Sequence, residues 1–248
     1  MSRPSNMGDA EWQARIDLAA TYRLCVHYGW DNLIYNHIAL RVPDEPGHFL
    51  FKRHQVMFDE VCASNLVKIE LRGKALSEDD GVNAAGFTIH TAILNARPDL
   101  HCTLHVHSKA GMAMSANAEG LLPMTQGAMR FYDRLAYHDY EGIATDLDEA
   151  SRLARDLGPR HKSMILRNHG LLTCGTSASE ALTLMRYLVG ACETQLMLQA
   201  TGCRIVLPSA ETCEHAARQW ERHDAHGGQD DWPAYLRIAD RLDPSYRT

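Results

Sequence analysis

Apolar residues recur every three or four positions near the start of the chain, which is the spacing of one face of a helix. Ile16, Ala20 and Leu24 follow this spacing and predict a helix from Ala10 to Tyr28. Gly29 comes next, and glycine is a natural helix end because it adopts the left-handed conformation that closes many helices. The first element of the fold is therefore predicted to be a long helix.

Short apolar segments bounded by turn residues predict β-strands along the rest of the chain. The predicted strands are Asn36–Val42, His48–Phe51, Val67–Leu71, Cys102–His107, Ser163–Leu166 and Leu171–Cys174. Helical patterns lie between and after them, and these predicted helices are 85–96, a short one opened by Ser108, 148–157, 177–201 and 211–222. This order predicts an α/β fold with one central sheet and helices on its faces.

The length and composition are those of one large domain. The 248 residues are 45% hydrophobic, which is enough for a substantial core. We predict a flexible tail over residues 1–9, one domain over residues 10–226 and a polar tail over residues 227–248. Trp232 and Tyr235 in the second tail are able to dock onto the domain.

Charge and hydropathy narrow the choice of partners. The net charge is −6 and its charges are scattered, which argues against nucleic acid or an anionic membrane as the main partner. No apolar run approaches the roughly 18 to 20 residues that span a bilayer, and the N-terminus lacks a signal-peptide core. Seven cysteines without a CxxC pair predict reduced thiols. We therefore expect a soluble, cytoplasmic protein.

Three histidines carry the candidate chemistry. Side chains alternate along a strand, so Thr103, His105 and His107 face one side of the segment that begins at Cys102. Two imidazoles on one face can share a divalent metal, and His169, at the corner after a predicted strand, is placed to complete the set. Three neutral imidazoles with an open coordination position are typical of a catalytic metal site. Zinc, iron, manganese and cobalt all suit imidazole ligands.

Four segments together resemble the class II aldolase/adducin family, which includes enzymes of the fuculose-phosphate aldolase type. They are 33–41 (LIYNHIALR), 58–68 (FDEVCASNLVK), 86–90 (GFTIH) leading into the HVH strand, and 168–171 (NHGL). The resemblance implies a three-layer α/β/α fold around a mainly antiparallel sheet. It also implies a homotetramer with sites between subunits, a divalent metal, zinc first, and a small-molecule substrate.

The resemblance also implies roles for single residues. His105, His107 and His169 fall on the family's metal-binding histidines, and Tyr140 matches a tyrosine that donates a proton in the aldolases. Gly86 stands where those aldolases carry a glutamate that shuttles protons. These matches predict a metal site that lacks the usual carboxylate.

His90 lies one helical turn after Gly86 and is a candidate replacement for that glutamate, with a packing role against the sheet as the alternative. Tyr140 is the second candidate acid, and a structural tyrosine would look the same in sequence. We therefore predict His90 and Tyr140 as the catalytic residues.

The phosphate-binding loops of the family are altered as well. Small residues are replaced by Ile34 and Tyr35 before Asn36, and by the segment 52–55 (KRHQ). Asn36, Lys52 and Arg53 are the candidate substrate-binding residues, since the two cations can hold a carboxylate; a solvated basic loop is the alternative. The altered loops favour a substrate without phosphate.

Three functions follow from these residues. The first is a metal-dependent lyase that acts on a small non-phosphorylated oxo or hydroxy acid through an enolate. The second is a mononuclear non-haem iron oxygenase that uses the same histidines. The third is a non-catalytic, adducin-like interaction protein, against which the complete set of three histidines argues.

Overall fold

The computed structural model describes residues 3–5, 7–72, 76, 78–143 and 147–248. Residues 1, 2 and 6 of the predicted N-terminal tail lie outside the described residues. The strands are β1 (His37–Val42), β2 (Glu45–Phe51), β3 (Val67–Glu70), β4 (Cys102–Val106), β5 (Leu135–His138), β6 (Ser163–Leu166) and β7 (Gly170–Gly175). The helices are α1 (Asp9–His27), α2 (Ala84–Ala96), α3 (Lys109–Ser115), α4 (Gln126–Met129), α5 (Leu147–Leu157), α6 (Ala178–Ala200), α7 (Ala210–His223) and α8 (Trp232–Leu242).

The seven strands form one sheet in the order β3-β2-β1-β4-β7-β6-β5. Neighbouring strands are antiparallel except for β5 and β6, which are parallel. The mainly antiparallel sheet that the resemblance implied is thereby confirmed. Strand β4 lies in the centre, between β1 and β7, so its side chains are enclosed by the sheet and by the layers above and below it.

Helices cover both faces of this sheet. On one face Cys102, Leu104 and Val106 join a core with residues of α1 and α6 such as Leu24 and Leu188. On the other face residues of β6 and β7 pack against α2 and α5, as the core that includes Ile93 and Leu157 shows. Burial of apolar side chains on both faces gives the predicted three-layer α/β/α arrangement.

Local signals set the predicted helix ends. The Ser177 side chain accepts a hydrogen bond from the Glu180 backbone N–H and begins α6, while Ser108 caps α3 through Gly111. Gly29 has a φ of 69° just after α1, a conformation that glycine tolerates without strain.

The C-terminal segment contains a helix that the sequence analysis did not predict. Helix α8 has Tyr235 and Ala239 buried in the core, with Trp232 packed beside them. The Trp232 indole N–H donates to Asp17 Oδ1 over 3.3 Å, so this helix is attached to α1. Within the described part of the chain, no helix is long and apolar enough to cross a membrane.

Candidate metal centre

The first two histidines lie on the central strand β4 and directly after it. Cys102, Leu104 and Val106 face the α1 and α6 layer, so Thr103 and His105 face the opposite one, as the alternation predicted. His107 follows directly after the strand, and its Nε2 lies 2.8 Å from Nε2 of His105. The two imidazoles therefore converge although only His105 belongs to the strand.

His169 lies in the tight turn between β6 and β7. Its backbone N–H donates to Leu166 O over 3.1 Å, and Asn168 before it has a φ of 54°. Gly170 follows, and a Cβ there would lie 2.9 Å from Cδ2 of His107 and 2.8 Å from Val106 O. Only glycine lets the turn approach β4 this closely, and the approach places His169 beside the other two rings.

The three histidines form one cluster. One ligand nitrogen from each of His105, His107 and His169 lies within 4.8 Å of the others. The ring centroids are 4.7 Å apart for His105 and His107, 4.7 Å for His105 and His169, and 4.8 Å for His107 and His169. Three nitrogens this close can bind one cation at bond lengths of about 2.0 to 2.1 Å.

A backbone carbonyl sets the tautomer of His105. Its Nδ1 lies 2.9 Å from Leu171 O, and a carbonyl only accepts, so Nδ1 carries the proton. The lone pair is then on Nε2, which is directed at His107. Metal-binding histidines in proteins have such a partner on their second nitrogen.

Burial keeps the cluster uncharged. Desolvation, followed by the neighbouring imidazoles, holds the pKa of His105 well below its ordinary range. Desolvation, and then His107 and His138, lowers the pKa of His169 to about 4, and desolvation also lowers the pKa of His107. Neutral imidazoles are the form that binds a metal, so the donor set fits a divalent cation at neutral pH.

The cluster forms part of the wall of a cavity of about 390 Å³. The described residues around this metal cavity are Tyr35, Asn36, His37, Asn83, Ala84, Ala85, Ile89, His105, His107, Tyr140, Gly142, Ile143 and His169. The volume suits a small molecule. None of these residues is a lysine, arginine, aspartate or glutamate.

His37 is a residue of this wall that the sequence analysis missed. It lies opposite His105 in the β1–β4 ladder, and the ring centroids are 5.0 Å apart. A Cβ on Gly86 would be 2.6 Å from Cδ2 of His37, so the imidazole occupies the room that a side chain at position 86 would need. His37 lies within the predicted strand Asn36–Val42, and nothing in the sequence indicated its place beside His105, because strand register is a long-range property.

His90 lies behind His37 and is not among the described residues that line the cavity. It is fully buried, with Nε2 2.8 Å from Nδ1 of His37 and Nδ1 2.5 Å from Oγ1 of Thr103. The turn of helix after Gly86 therefore directs His90 into the sheet, and a direct contact with substrate loses support.

Tyr140 lies at the mouth of the cavity. Its side chain is 55% exposed, and its ring centroid is 6.4 Å from that of His169. Glu141, which follows it, pairs with Arg152 of α5, and this ion pair helps to hold the segment. Ala144 and Thr145, which belong to the same sequence segment, lie outside the described residues.

The three candidate substrate-binding residues are placed apart. Asn36 lines the cavity, its side-chain N–H donates to Trp30 O over 2.7 Å, and its Oδ1 has no partner in the described structure. Arg53 is exposed and is not among the described residues of the cavity wall.

Lys52 is buried away from this wall. Its ammonium donates to the carbonyls of Ile34 and Val56 over 2.5 and 3.0 Å, and more weakly to those of Arg53 and His54. Because its donors are already used by the backbone, a direct role in holding a substrate loses support. Desolvation lowers the pKa of Lys52 to about 8.

Comparisons with known proteins extend over the segments that carry the three histidines. The family described as Class II Aldolase and Adducin N-terminal domain matches residues 16–196. An aldolase II superfamily protein from Pseudomonas syringae has a structure with a TM-score of 0.88 and 40% identity, covering 98% of both chains. L-fuculose 1-phosphate aldolase from Glaciozyma antarctica PI12 has a TM-score of 0.83 and 26% identity, covering 99% of this chain and 97% of that one. Alpha-adducin from Mus musculus is 47% identical over 191 residues, which are 76% of this chain and 26% of the adducin.

Proposed function

Because the chain belongs to the class II aldolase and adducin family, we propose that it is a metal-dependent lyase. The proposed reaction breaks a C–C or C–O bond of a small, non-phosphorylated oxo or hydroxy acid through an enolate of the substrate. The observation that carries this proposal is the convergence of three neutral imidazoles in a cavity of small-molecule size. A divalent metal, zinc in the first place, would be held by His105, His107 and His169.

The bound metal would polarise a substrate oxygen and stabilise the negative charge that develops when the bond breaks. The protein supplies the rest of the site. Ala84 and Ala85 in the first turn of α2 line the cavity, where the positive end of the helix dipole favours an anion. No described side chain of the wall is cationic, which supports a carboxylate rather than a phosphate as the anionic group.

Tyr140 is the proposed proton donor. Its ring lines the cavity and lies 6.4 Å from that of His169, measured between centroids, which supports a role beside the metal ligands. His90 is proposed to act only through His37, since His37 stands between it and the cavity. Asn36 is proposed to contact substrate through its unpaired amide oxygen.

The homotetramer is proposed from the resemblance, and exposed apolar residues in and near the cavity wall support contact with another copy of the chain. Ile143 is 76% exposed, Leu33 is 67% exposed and Tyr35 is 49% exposed, and Ile143 and Tyr35 line the cavity itself. A second copy of the chain seated here would bury these side chains and close the cavity to water.

Metal content tests the proposal. Wild type and His169→Ala are purified side by side without added metal and measured by elemental analysis. We expect zinc, or manganese or cobalt, near one per chain in the wild type and its loss in the variant. Cleavage of oxo and hydroxy acids should then proceed without oxygen and stop when a chelator is added. Iron in the wild type, with oxygen consumed, would replace the lyase by an oxygenase on the same histidines.

The similarity to alpha-adducin favours a second candidate, a non-catalytic binding module. The likeness covers 76% of this chain at 47% identity, against 26% identity to the L-fuculose 1-phosphate aldolase. If the chain is such a module, neither the wild type nor His169→Ala would contain metal, and neither would take up metal that is added. The His105→Ala variant would then bind a protein partner as well as the wild type does.

A further inference from the structure

A buried chain of hydrogen-bonding side chains ends at the metal cavity. Thr103 Oγ1 lies 2.5 Å from Nδ1 of His90, and Nε2 of His90 lies 2.8 Å from Nδ1 of His37. Thr103 and His90 are fully buried, and His37 is 5% exposed. Since His37 lines the cavity and its Nδ1 is used, Nε2 is its nitrogen left for a ligand.

The ring of His37 is fixed from several sides. It packs at 5.0 Å from the His105 ring and at 6.0 Å from the Phe51 ring, measured between centroids. The backbone of Gly86 closes a third side, because a Cβ there would fall 2.6 Å from Cδ2 of His37. A ring that cannot rotate presents Nε2 in one direction only, next to the metal ligand His105.

These three hydrogen-bonded side chains can offer the cavity either a donor or an acceptor without any change in charge. The hydroxyl of Thr103 can donate or accept, and each neutral imidazole has one donor and one acceptor. If Thr103 donates to His90, then Nε2 of His37 carries a proton and donates into the cavity. If Thr103 accepts from His90, then Nε2 of His37 is an acceptor. The site can therefore bond a carbonyl or carboxylate oxygen in the first case and a hydroxyl in the second.

The charges of the wall select an anion. No described residue of the wall carries a carboxylate, so a divalent cation on the three histidines would keep its full positive charge. The start of α2 at Ala84 adds the positive end of a helix dipole. A ligand that brings a negative charge and two oxygens on adjacent carbons satisfies the cation and reaches His37 as well.

We propose that His37 is a substrate-binding residue that holds a 2-oxo or 2-hydroxy carboxylate beside the metal, with His90 and Thr103 as the residues that position it. This inference rests on the proposed metal-dependent function and names the class of acid on which it acts. Gly86 contributes to the same arrangement, because the absence of a side chain at this position leaves the room that the His37 ring occupies.

Calorimetry with glycolate, a 2-hydroxy acid, tests the inference on full-length protein loaded with zinc. The variants are His37→Phe, Gly86→Ala and, as a matched control, Gly190→Ala, where an added Cβ meets nothing within 4 Å. Zinc content and the unfolding midpoint are measured for each protein. Acetate, which lacks the second oxygen, is titrated in parallel.

We expect His37→Phe and Gly86→Ala to retain one zinc per chain and to bind glycolate about tenfold or more weakly, the loss of one hydrogen bond to a charged ligand. Gly190→Ala should match the wild type, and acetate should bind weakly and equally throughout. If His37→Phe unfolds because His90 loses its partner, Gly86→Ala decides the question, since it keeps every polar group.

The outcomes separate the two proposals. A wild type that takes up neither zinc nor manganese nor cobalt overturns the proposed function and this inference with it. A wild type that binds zinc but not glycolate, or variants that retain zinc and bind glycolate as the wild type does, overturn the role of His37 alone.

Discussion

Nδ1 of His105 lies 2.9 Å from the carbonyl oxygen of Leu171, across the ladder that joins β4 to β7. This contact joins two parts of the candidate site, because Leu171 follows the turn that carries His169. A shift of the turn would therefore move His169 and also the Leu171 carbonyl that orients the His105 ring. The three candidate ligands therefore lie on β4 or next to it and in the adjoining β6–β7 turn, which the β4–β7 ladder holds together.

Gly170 is the point at which this arrangement is most sensitive. We expect Gly170→Ala to weaken zinc binding by about 10- to 100-fold, the range for partners that orient metal ligands. The added Cβ would meet His107 Cδ2 at 2.9 Å and Val106 O at 2.8 Å, so the turn must move away from β4. Competition with a chromogenic chelator measures the affinity, and Gly190→Ala is the control. Equal zinc affinity in the two variants would contradict this account of the turn.

The stability of the metal-free protein should fall in mild acid. The pKa of His169 is lowered from 6.5 to about 4, chiefly by desolvation. Above pH 6.5 neither the folded nor the unfolded state is protonated at this group, and below about pH 4 both are. Between these values only the unfolded chain takes up the proton, so the free energy of unfolding decreases as the pH falls, by up to about 1.4 kcal/mol per unit.

Urea unfolding of metal-free wild type and His169→Asn at pH 6.5 and pH 5 measures this effect. We expect the wild type to lose about 1 to 2 kcal/mol more than the variant over this interval, after allowance for the partial exposure of the ring. The same loss in both proteins would show that His169 is not the group responsible.

Much of the fold could be predicted from local patterns. Strand β6 has the predicted bounds, and α1 and α6 begin and end within a residue or two of the predicted positions. Alternation along β4 correctly assigned the faces of Cys102 and His105. Helix α8 was missed because the glycines and acidic residues of 227–231 (GGQDD) indicate the start of a polar tail, although Trp232, Tyr235 and Ala239 have the spacing of one helix face.

The site was predictable only in part. The cluster of His105, His107 and His169 could be expected from spacing and resemblance. The place of His37 depends on its register with His105 and on the empty space at Gly86, which are contacts between residues about 50 to 70 positions apart. Local sequence contains no information on such distances, so His90 was selected in its place.

Lys52 should prove structural. We expect Lys52→Met to lower the free energy of unfolding by about 2 to 4 kcal/mol, because several partly buried carbonyls, including Ile34 O and Val56 O, lose their buried donor. Zinc content should remain near one per chain. Arg53→Met is the control, since an exposed substitution of this kind changes stability by about 0.5 kcal/mol or less. A stable Lys52→Met protein with weakened substrate binding would restore the substrate role predicted from sequence.

Tyr140 should be needed for turnover and not for assembly of the site. Removing its hydroxyl in Tyr140→Phe should leave zinc content and the unfolding midpoint unchanged, because no described hydrogen bond of that hydroxyl holds the fold. We expect the anaerobic lyase rate to fall by about 10²- to 10⁴-fold, the contribution of a positioned general acid. Tyr35→Phe is the matched control, since Tyr35 also lines the cavity and is about half exposed. Similar rates for the two variants would show that Tyr140 is not the proton donor. The hydrogen-bonded pair of His37 and His90 would then be the next candidate for that role.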